Sequence, residues 1–465
     1  MCFLKDFKIS NNRFYRTLVS LNLGAICMGL TIGWPNPSID TDIFEKNKNY
    51  GFITSGNLQT IINGGASIGA FLPILIADNY GRRLSFFCSA FACSIFWISL
   101  ALAVNKMFLF FAATFAGFGT GIYVTTSVLY VGEISSRENR GIVGAFNSFF
   151  VHFGILIVGL LALYIKLTTL ALVIVIIPLT FMFSIFFLME ESPYFLFKIG
   201  KVLDAKITLK NLRGRRTVLE IENDYKSMEC FFNSEYVKEK KTTSLFKNIF
   251  FPKNAKKSLI IILPLMCLSQ MMGSYAMNEY LEKILKHYVV HYEYAILSLI
   301  NVLSDCFCLL AIEKIGRKIL LIISIVGSAI CCFLLALNKL IQKQDCQSLM
   351  KGEMLIPILL LLAYYVVYFF GLIPLVPILA GEIFPNRVKT MACGICISFI
   401  YITALSVQNI FELLKYKTNS CLAFSIFAIL GSLGLPLIVS FLPETKGKSL
   451  YEIQSELDTI NISFA

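Results

Sequence analysis

Charged side chains recur along the 465-residue chain in three pairs of short motifs. Asp78-Asn-Tyr-Gly81-Arg82-Arg83 returns as Glu313-Lys-Ile-Gly316-Arg317-Lys318. Gly132-Glu133-Ile134, with Arg140 seven residues past the Glu, returns as Gly381-Glu382-Ile383, with Lys389 seven past. Glu191-Ser-Pro193 returns around Glu444 in Pro443-Glu444-Thr445. The chemistry these residues offer is ion pairing that can be made and broken, not bond-making. Arg82, Arg83, Glu133, Arg140, Glu191, Arg317, Lys318, Glu382, Lys389 and Glu444 form the candidate set. Partly out of water such charges pair strongly, whereas exposed pairs are worth about 0–1 kcal/mol. Taken singly, Lys318 or Arg137 is as readily a plain loop charge. The repeated set, in one order at nearly constant offset, reads as a latch.

A second group lies within apolar runs. Asp305 sits in Leu303-Ser304-Asp305-Cys306, and an acid at that depth is a functional hypothesis by default. The bland reading is a hydrogen-bonded, neutral Asp facing a bundle interior. His152 can line a cavity, although a satisfied core histidine is the simpler reading. Glu279 reads as a rim residue. Only 3 His are present, and no nucleophile stands at a plausible spacing from a base, so an enzyme is not expected. The 14 Cys show neither metal spacing nor a disulfide framework. No metal or cofactor is implied.

The elements that must position these residues are membrane spans. The chain is 57% hydrophobic and 15% charged, with mean hydropathy +0.72. A globular core cannot hide that much apolar surface. At about 20 apolar residues per span, twelve are predicted: 17–35, 52–77, 84–104, 107–131, 141–164 and 168–189, then 257–285, 292–313, 318–338, 353–380, 391–414 and 421–442. The expected architecture is an all-α membrane protein with two six-helix halves, 17–189 and 257–442. Around them lie an N-terminus (1–16), a basic linker with amphipathic helices (190–256) and a C-terminus (443–465). With the short loops on the same side, these three flanking segments carry 30 of the 41 Lys and Arg. The positive-inside rule therefore makes all three cytoplasmic. The net charge of +12 is a topology signal that can also attract anionic lipid, not a nucleic-acid signal. Parallel six-span repeats suit the major facilitator fold, and a seven-span receptor is disfavoured.

The motifs resemble the sugar-porter family of that superfamily. Its G-R-R/K turns match Gly81-Arg82-Arg83 and Gly316-Arg317-Lys318. Its E-x6-R-G matches Glu133 through Arg140-Gly141, and its P-E-S-P matches Glu191-Ser192-Pro193, with Glu190 in place of the first Pro. G-E-I-F-P matches Gly381 to Pro385, and P-E-T-K-G matches Pro443 to Gly447 unchanged. Gly33-Trp34-Pro35-Asn36-Pro37 resembles the G-W-x-S-P of insect facilitated trehalose transporters.

The resemblance implies a facilitative carrier of the hexose or trehalose class, working by alternating access in the plasma membrane. It also points to substrate positions. The span-5 Gln of the family falls on Ser148, with His152 one turn later on the same helix face. The span-7 Q-Q-x-S-G-x-N reads Ser269-Gln270-Met-Met272-Gly273-Ser-Tyr275. Asn301 stands where insect relatives often have Gln. The span-10 Trp falls on Pro377 and the span-11 Asn on Ile400. A sugar needs several convergent hydrogen-bonding groups to offset its lost hydration. Here either Ser148, Gln270, Ser269, Tyr275 and Asn301 rebuild the site, or the solute differs, or the chain is a non-transporting sensor. Proton-coupled members carry an Asp in span 1; this chain has none there, which implies facilitated diffusion, with coupling through Asp305 as the lesser alternative. Gly273 and Gly371–Pro374 are expected to break spans 7 and 10 as local gates.

Overall fold

The computed structural model describes residues 12–35, 55–103, 105–214, 220–230, 253–285, 292–344, 355–385, 388–417 and 420–459. The expectations for 1–11, Asn36-Pro37, linker residues 231–252 and 460–465 lie outside these. Twelve helices are long and apolar enough to cross a membrane. Spans 1 to 6 are Arg13–Gly33, Gly56–Tyr80, Arg82–Ala101, Lys106–Ile134, Arg140–Leu161 and Leu167–Phe187. Spans 7 to 12 are Ala255–Leu281, Tyr294–Ile315, Arg317–Ile341, Leu355–Ile383, Lys389–Phe411 and Leu422–Phe441. This is an all-α membrane protein of the major facilitator fold, with two six-helix halves.

The repeat is visible in the backbone. Spans 2 and 3 are joined by Gly81 alone (φ +104°), and spans 8 and 9 by Gly316 alone (φ +100°). Only glycine adopts that region without strain. A Cβ at either would also collide with a carboxylate, 2.5 Å from Glu191 Oε2 and 2.7 Å from Glu444 Oε2. Within the N-terminal half, small residues let helices meet closely, as spans in lipid require. A Cβ on Gly154 would lie 2.5 Å from the Ile26 carbonyl of span 1, and one on Gly65 2.7 Å from the Thr114 carbonyl of span 4. Large apolar side chains such as Leu75, Phe91, Phe111, Phe183 and Leu433 face outward, which is the surface a bilayer covers.

Spans 2 and 6 are interrupted by short turns at Ala70-Phe71 and at Val175, and spans 7 and 10 depart further from a regular helix. Span 7 breaks as expected at Gly273 (φ +79°), between helices Lys253–Met271 and Ser274–Leu285. Span 10 does not break at Gly371–Pro374. Leu355–Val367 runs through a π-helical stretch, Tyr368–Leu372, into Ile373–Ile383. Pro374 brings no N–H and crowds the carbonyl four residues back, and a wider turn relieves both. Span 9 completes the arrangement: Ser324 Oγ donates to the Val367 carbonyl (2.8 Å) and accepts from Leu372 N–H (3.0 Å). Gly371 permits the approach, since its Cβ would lie 2.8 Å from Ser324 Cβ.

Three described helices follow span 6: Pro193–Lys198, Val202–Arg213 and residues 220–230. Val202–Arg213 is amphipathic and buries Ala205, Thr208, Leu209 and Leu212. Leu450–Thr459 closes the described chain and packs on spans 7 and 10.

Candidate functional site

Glycine turns place Arg82 and Arg317 at the first residues of spans 3 and 9, pointing into the bundle. Arg82 Nη2 donates to Glu133 Oε1 at 2.8 Å, with side-chain exposures of 3% and 0%. Arg82 also holds the Ala77 carbonyl (2.9 Å) and packs over the Phe195 ring. Arg317 makes a bidentate bond to Glu313 (2.8 and 2.9 Å) and lies 3.9 Å from buried Glu382. Glu191 accepts the backbone N–H groups of Arg82 (3.0 Å) and Arg83 (3.3 Å). Glu444 does the same for Arg317 (3.0 Å) and Lys318 (3.1 Å). These carboxylates satisfy the donors that open spans 3 and 9 and sit where the helix dipole favours anions. Burial lifts the Glu191 carboxyl above its ordinary range, against the pull of the N–H groups. Arg83 and Lys318 reach carbonyls instead of carboxylates, Ile185 and Phe186 for Arg83 and Val439 for Lys318.

Arg140 and Lys389 reach across the two halves. Lys389 Nζ lies 2.9 Å from where a Cβ on Gly132 would stand, and its charge acts on Glu133. Arg140 acts on Glu382, and a Cβ on the next residue, Gly141, would lie 2.5 Å from Glu313 Oε1. Each half thus inserts a base beside the other half's acid. Yet Arg140 Nε, Lys389 Nζ, Glu133 Oε2 and Glu382 Oε2 are buried without a hydrogen-bond partner. A direct bond across this face is Thr390 Oγ1 to Asp78 Oδ1, 2.7 Å. Spans 4 and 10 meet beside it, with the ideal Cβ of Gly132 2.8 Å from the Gly381 carbonyl. All ten latch residues therefore lie at one end of the bundle, the motif face. Asp78 and Glu313 were legible as members of the repeated motif, whereas nothing in the sequence marked Thr390.

Midway along the spans lies a separate polar cluster. His152 Nδ1 on span 5 is 2.6 Å from Asp305 Oδ2 on span 8. Ser148 interacts with the same carboxylate, and the Phe369 ring of the π segment packs T-shaped on the imidazole, 4.8 Å between centroids. His152 is buried and hydrogen-bonded, as the core reading expects, and its partner is an acid of the other half. Gln270, Tyr275, Asn301 and Pro377 are half-buried, and Asn301 Oδ1 is buried without a partner. Ser269 is buried and turned into its own helix, where its hydroxyl donates to the Met266 carbonyl (2.6 Å). Its own carbonyl accepts Tyr368 Oη (2.6 Å).

Two six-span repeats, meeting at a charged face and enclosing polar groups at mid-depth, define a transporter of the major facilitator superfamily. Residues 28–457 match the family described as "Sugar (and other) transporter", and the chain belongs to that family of sugar porters. It is similar to "Sugar transporter ERD6-like 1" of Arabidopsis thaliana, 28% identical over 94% of this chain and 92% of that one. "Facilitated trehalose transporter Tret1" of Bombyx mori is 26% identical over 94% and 85%. Among solved structures, the proton:xylose symporter XylE bound to 6-bromo-6-deoxy-D-glucose superimposes with a TM-score of 0.82 at 20% identity, over 96% of this chain and all of that one.

Proposed function

We propose that this sugar transporter is a facilitative carrier of the hexose or trehalose class, working by alternating access in the plasma membrane with the motif face cytoplasmic. The observation that carries the reading is the exchange of Arg140 and Lys389 between the halves. Within each half the pairs are short: Arg82–Glu133 at 2.8 Å and Arg317–Glu313 at 2.8 Å. Across the halves Arg140 and Lys389 act on acids to which they make no direct bond. A face held by long-range attraction and few direct bonds can open at modest cost, while each half stays rigid. The ten latch residues serve as this cytoplasmic gate. The solute sits between the halves near the midplane, against Ser148, Gln270, Tyr275 and Asn301, with Ser269 and Pro377 behind. The unpartnered Asn301 Oδ1 is an acceptor that a sugar hydroxyl satisfies.

Span 1 carries no acid between Arg16 and Gly33, so net flux runs down the solute gradient. A second reading is favoured by Ser269, whose hydroxyl is already satisfied, and by Pro377 at the family's Trp position: a different small solute. Tracer uptake into proteoliposomes decides between them. Saturable equilibration of glucose or trehalose, without accumulation, is the expected result. Correctly inserted protein that moves neither sugar, but moves an amine or organic acid, overturns the sugar assignment.

A further inference from the structure

His152 and Asp305 stand about twelve and ten residues from the motif-face ends of their helices, roughly 15–18 Å deep at 1.5 Å per residue. Their side chains are 9% and 1% exposed, so water does not share them freely in this conformation. They belong to different halves, and spans 5 and 8 pack along a long seam between those halves. The fold itself does not demand the pair. Asp305 lies eleven residues before turn glycine Gly316, and the matching residue before Gly81 is Ala70. His152 lies twelve residues after Arg140, and the match after Lys389 is Tyr401. The sister seam, spans 2 and 11, thus closes without an ionisable couple.

The electrostatic surroundings are spare. Among the described residues the charge acting on Asp305 is His152, joined by the Ser148 side chain; the Cys306 and Cys308 thiols of its own helix feel its charge in return. Spans 1, 4 and 10 carry charged groups only toward their ends, at Arg13, Arg16, Lys106, Glu133 and Glu382. Spans 7 and 9, packed on span 8, do likewise at Lys256, Lys257, Glu279, Arg317, Lys318 and Lys339. From span 10, Phe369 faces the imidazole, while the hydroxyls of Tyr365 and Tyr368 are engaged with Asn278 and the Ser269 carbonyl. Asp305 Oδ1 is buried with no hydrogen-bond partner of its own.

We infer that His152 and Asp305 form a proton-binding site shared by the two halves, loaded when the span 5–span 8 seam is closed and emptied when it opens. In the closed seam the Nδ1 hydrogen of neutral His152 is donated to the Asp305 carboxylate, and the incoming proton adds at Nε2. The imidazolium and the carboxylate then neutralise one another inside the membrane. Once separated, an imidazolium in an apolar wall loses that partner and returns its proton to water. No other reactant is needed. By linkage, a proton bound more tightly in one conformation favours that conformation. Acid therefore holds the seam shut and slows turnover, although net flux remains passive. This rests on the alternating-access reading above.

Two measurements test it, both on the full chain in lipid. First, the protein has only 3 His, so ¹⁵N-histidine spectra in nanodiscs, assigned with His152→Gln, report the protonation of His152 directly. The expected result is a change in its nitrogen signature on acidification that is displaced by Asp305→Asn. A signature identical with and without Asp305 overturns the site. Second, equilibrium exchange of labelled sugar should slow by about fivefold or more from pH 7.5 to 5.5, the low end of ordinary coupling. His152→Gln, which keeps a donor toward Asp305, and Asp305→Asn should each flatten that profile. A wild-type profile no steeper than that of His152→Gln overturns the inference. Absence of sugar flux at every pH instead refutes the sugar assignment, and the spectra still decide the proton site.

Discussion

Adding one methyl group at Gly132 should loosen the closed motif face. The ideal Cβ there would lie 2.8 Å from the Gly381 carbonyl and 2.9 Å from Lys389 Nζ, where ordinary contact begins at 3.4 Å. The lysine can swing away, but the carbonyl belongs to span 10. Spans 4 and 10 must therefore part by about 0.6 Å, an overpacking that costs about 1–3 kcal/mol. Only the closed conformation bears this cost, so the closed-to-open ratio should fall by about 5- to 150-fold. Alanine is a better helix former than glycine by up to about 1 kcal/mol, and that gain applies to both conformations, so insertion and folding are preserved. Gly64→Ala is the control, because nothing lies within 4 Å of its Cβ position. Fluorophores introduced at exposed Lys210 and Ser455 report the separation across this face by single-molecule energy transfer. Gly132→Ala should populate a longer distance that Gly64→Ala does not. A folded Gly132→Ala protein with the wild-type distance distribution refutes the contact argument.

Arg82→Ala removes one partner of a fully buried pair and strands Glu133, so unfolding should become easier by about 3–5 kcal/mol. Arg13→Ala breaks an ion pair to Glu190 whose arginine is 58% exposed, and should change stability by about 0–1 kcal/mol; thermal unfolding in detergent compares the two. At the C-terminal helix, Ser449 Oγ accepts Glu452 N–H (3.2 Å) and Glu452 Oε2 accepts Ser449 N–H (2.7 Å), a reciprocal capping box. Ser449→Ala should raise local hydrogen exchange over Leu450–Thr459 in line with a loss of about 0.5–2 kcal/mol. The Ser449 N–H holds the Glu452 carboxyl below its ordinary range. That contribution is therefore present above the ordinary glutamate range and is lost as pH falls through the lowered value, which exchange across that range will show.

Sequence carried the within-half contacts well, because each is encoded within the repeated motifs. A glycine turn followed by two bases, with a glutamate after the sixth span of the half accepting their backbone N–H groups, recurs in both halves. Span 10 was less legible: whether Pro374 breaks a helix or widens it depends on Ser324, which lies on another span. The contacts between halves were hardest, since they depend on helix rotation. Even there the repeat leaves a trace. Thr390 follows Lys389 as Gly141 follows Arg140, and these residues approach Asp78 and Glu313, the two motif acids. The threonine makes a hydrogen bond where the glycine makes only a close approach. Asp78, held by Thr390 at 2.7 Å and Lys198 at 3.3 Å, lies 3.8 Å from Arg82, which turns to Glu133 instead. Glu313 meets no hydroxyl at Gly141, is one methylene longer, and takes Arg317 in two bonds. These differences, Thr390 for Gly141 and Asp78 for Glu313, send the two arginines to different acids. The halves share one plan within themselves and differ where they face each other, so the asymmetric contacts, Thr390–Asp78 at the face and His152–Asp305 at mid-depth, are where control of the conformational change belongs.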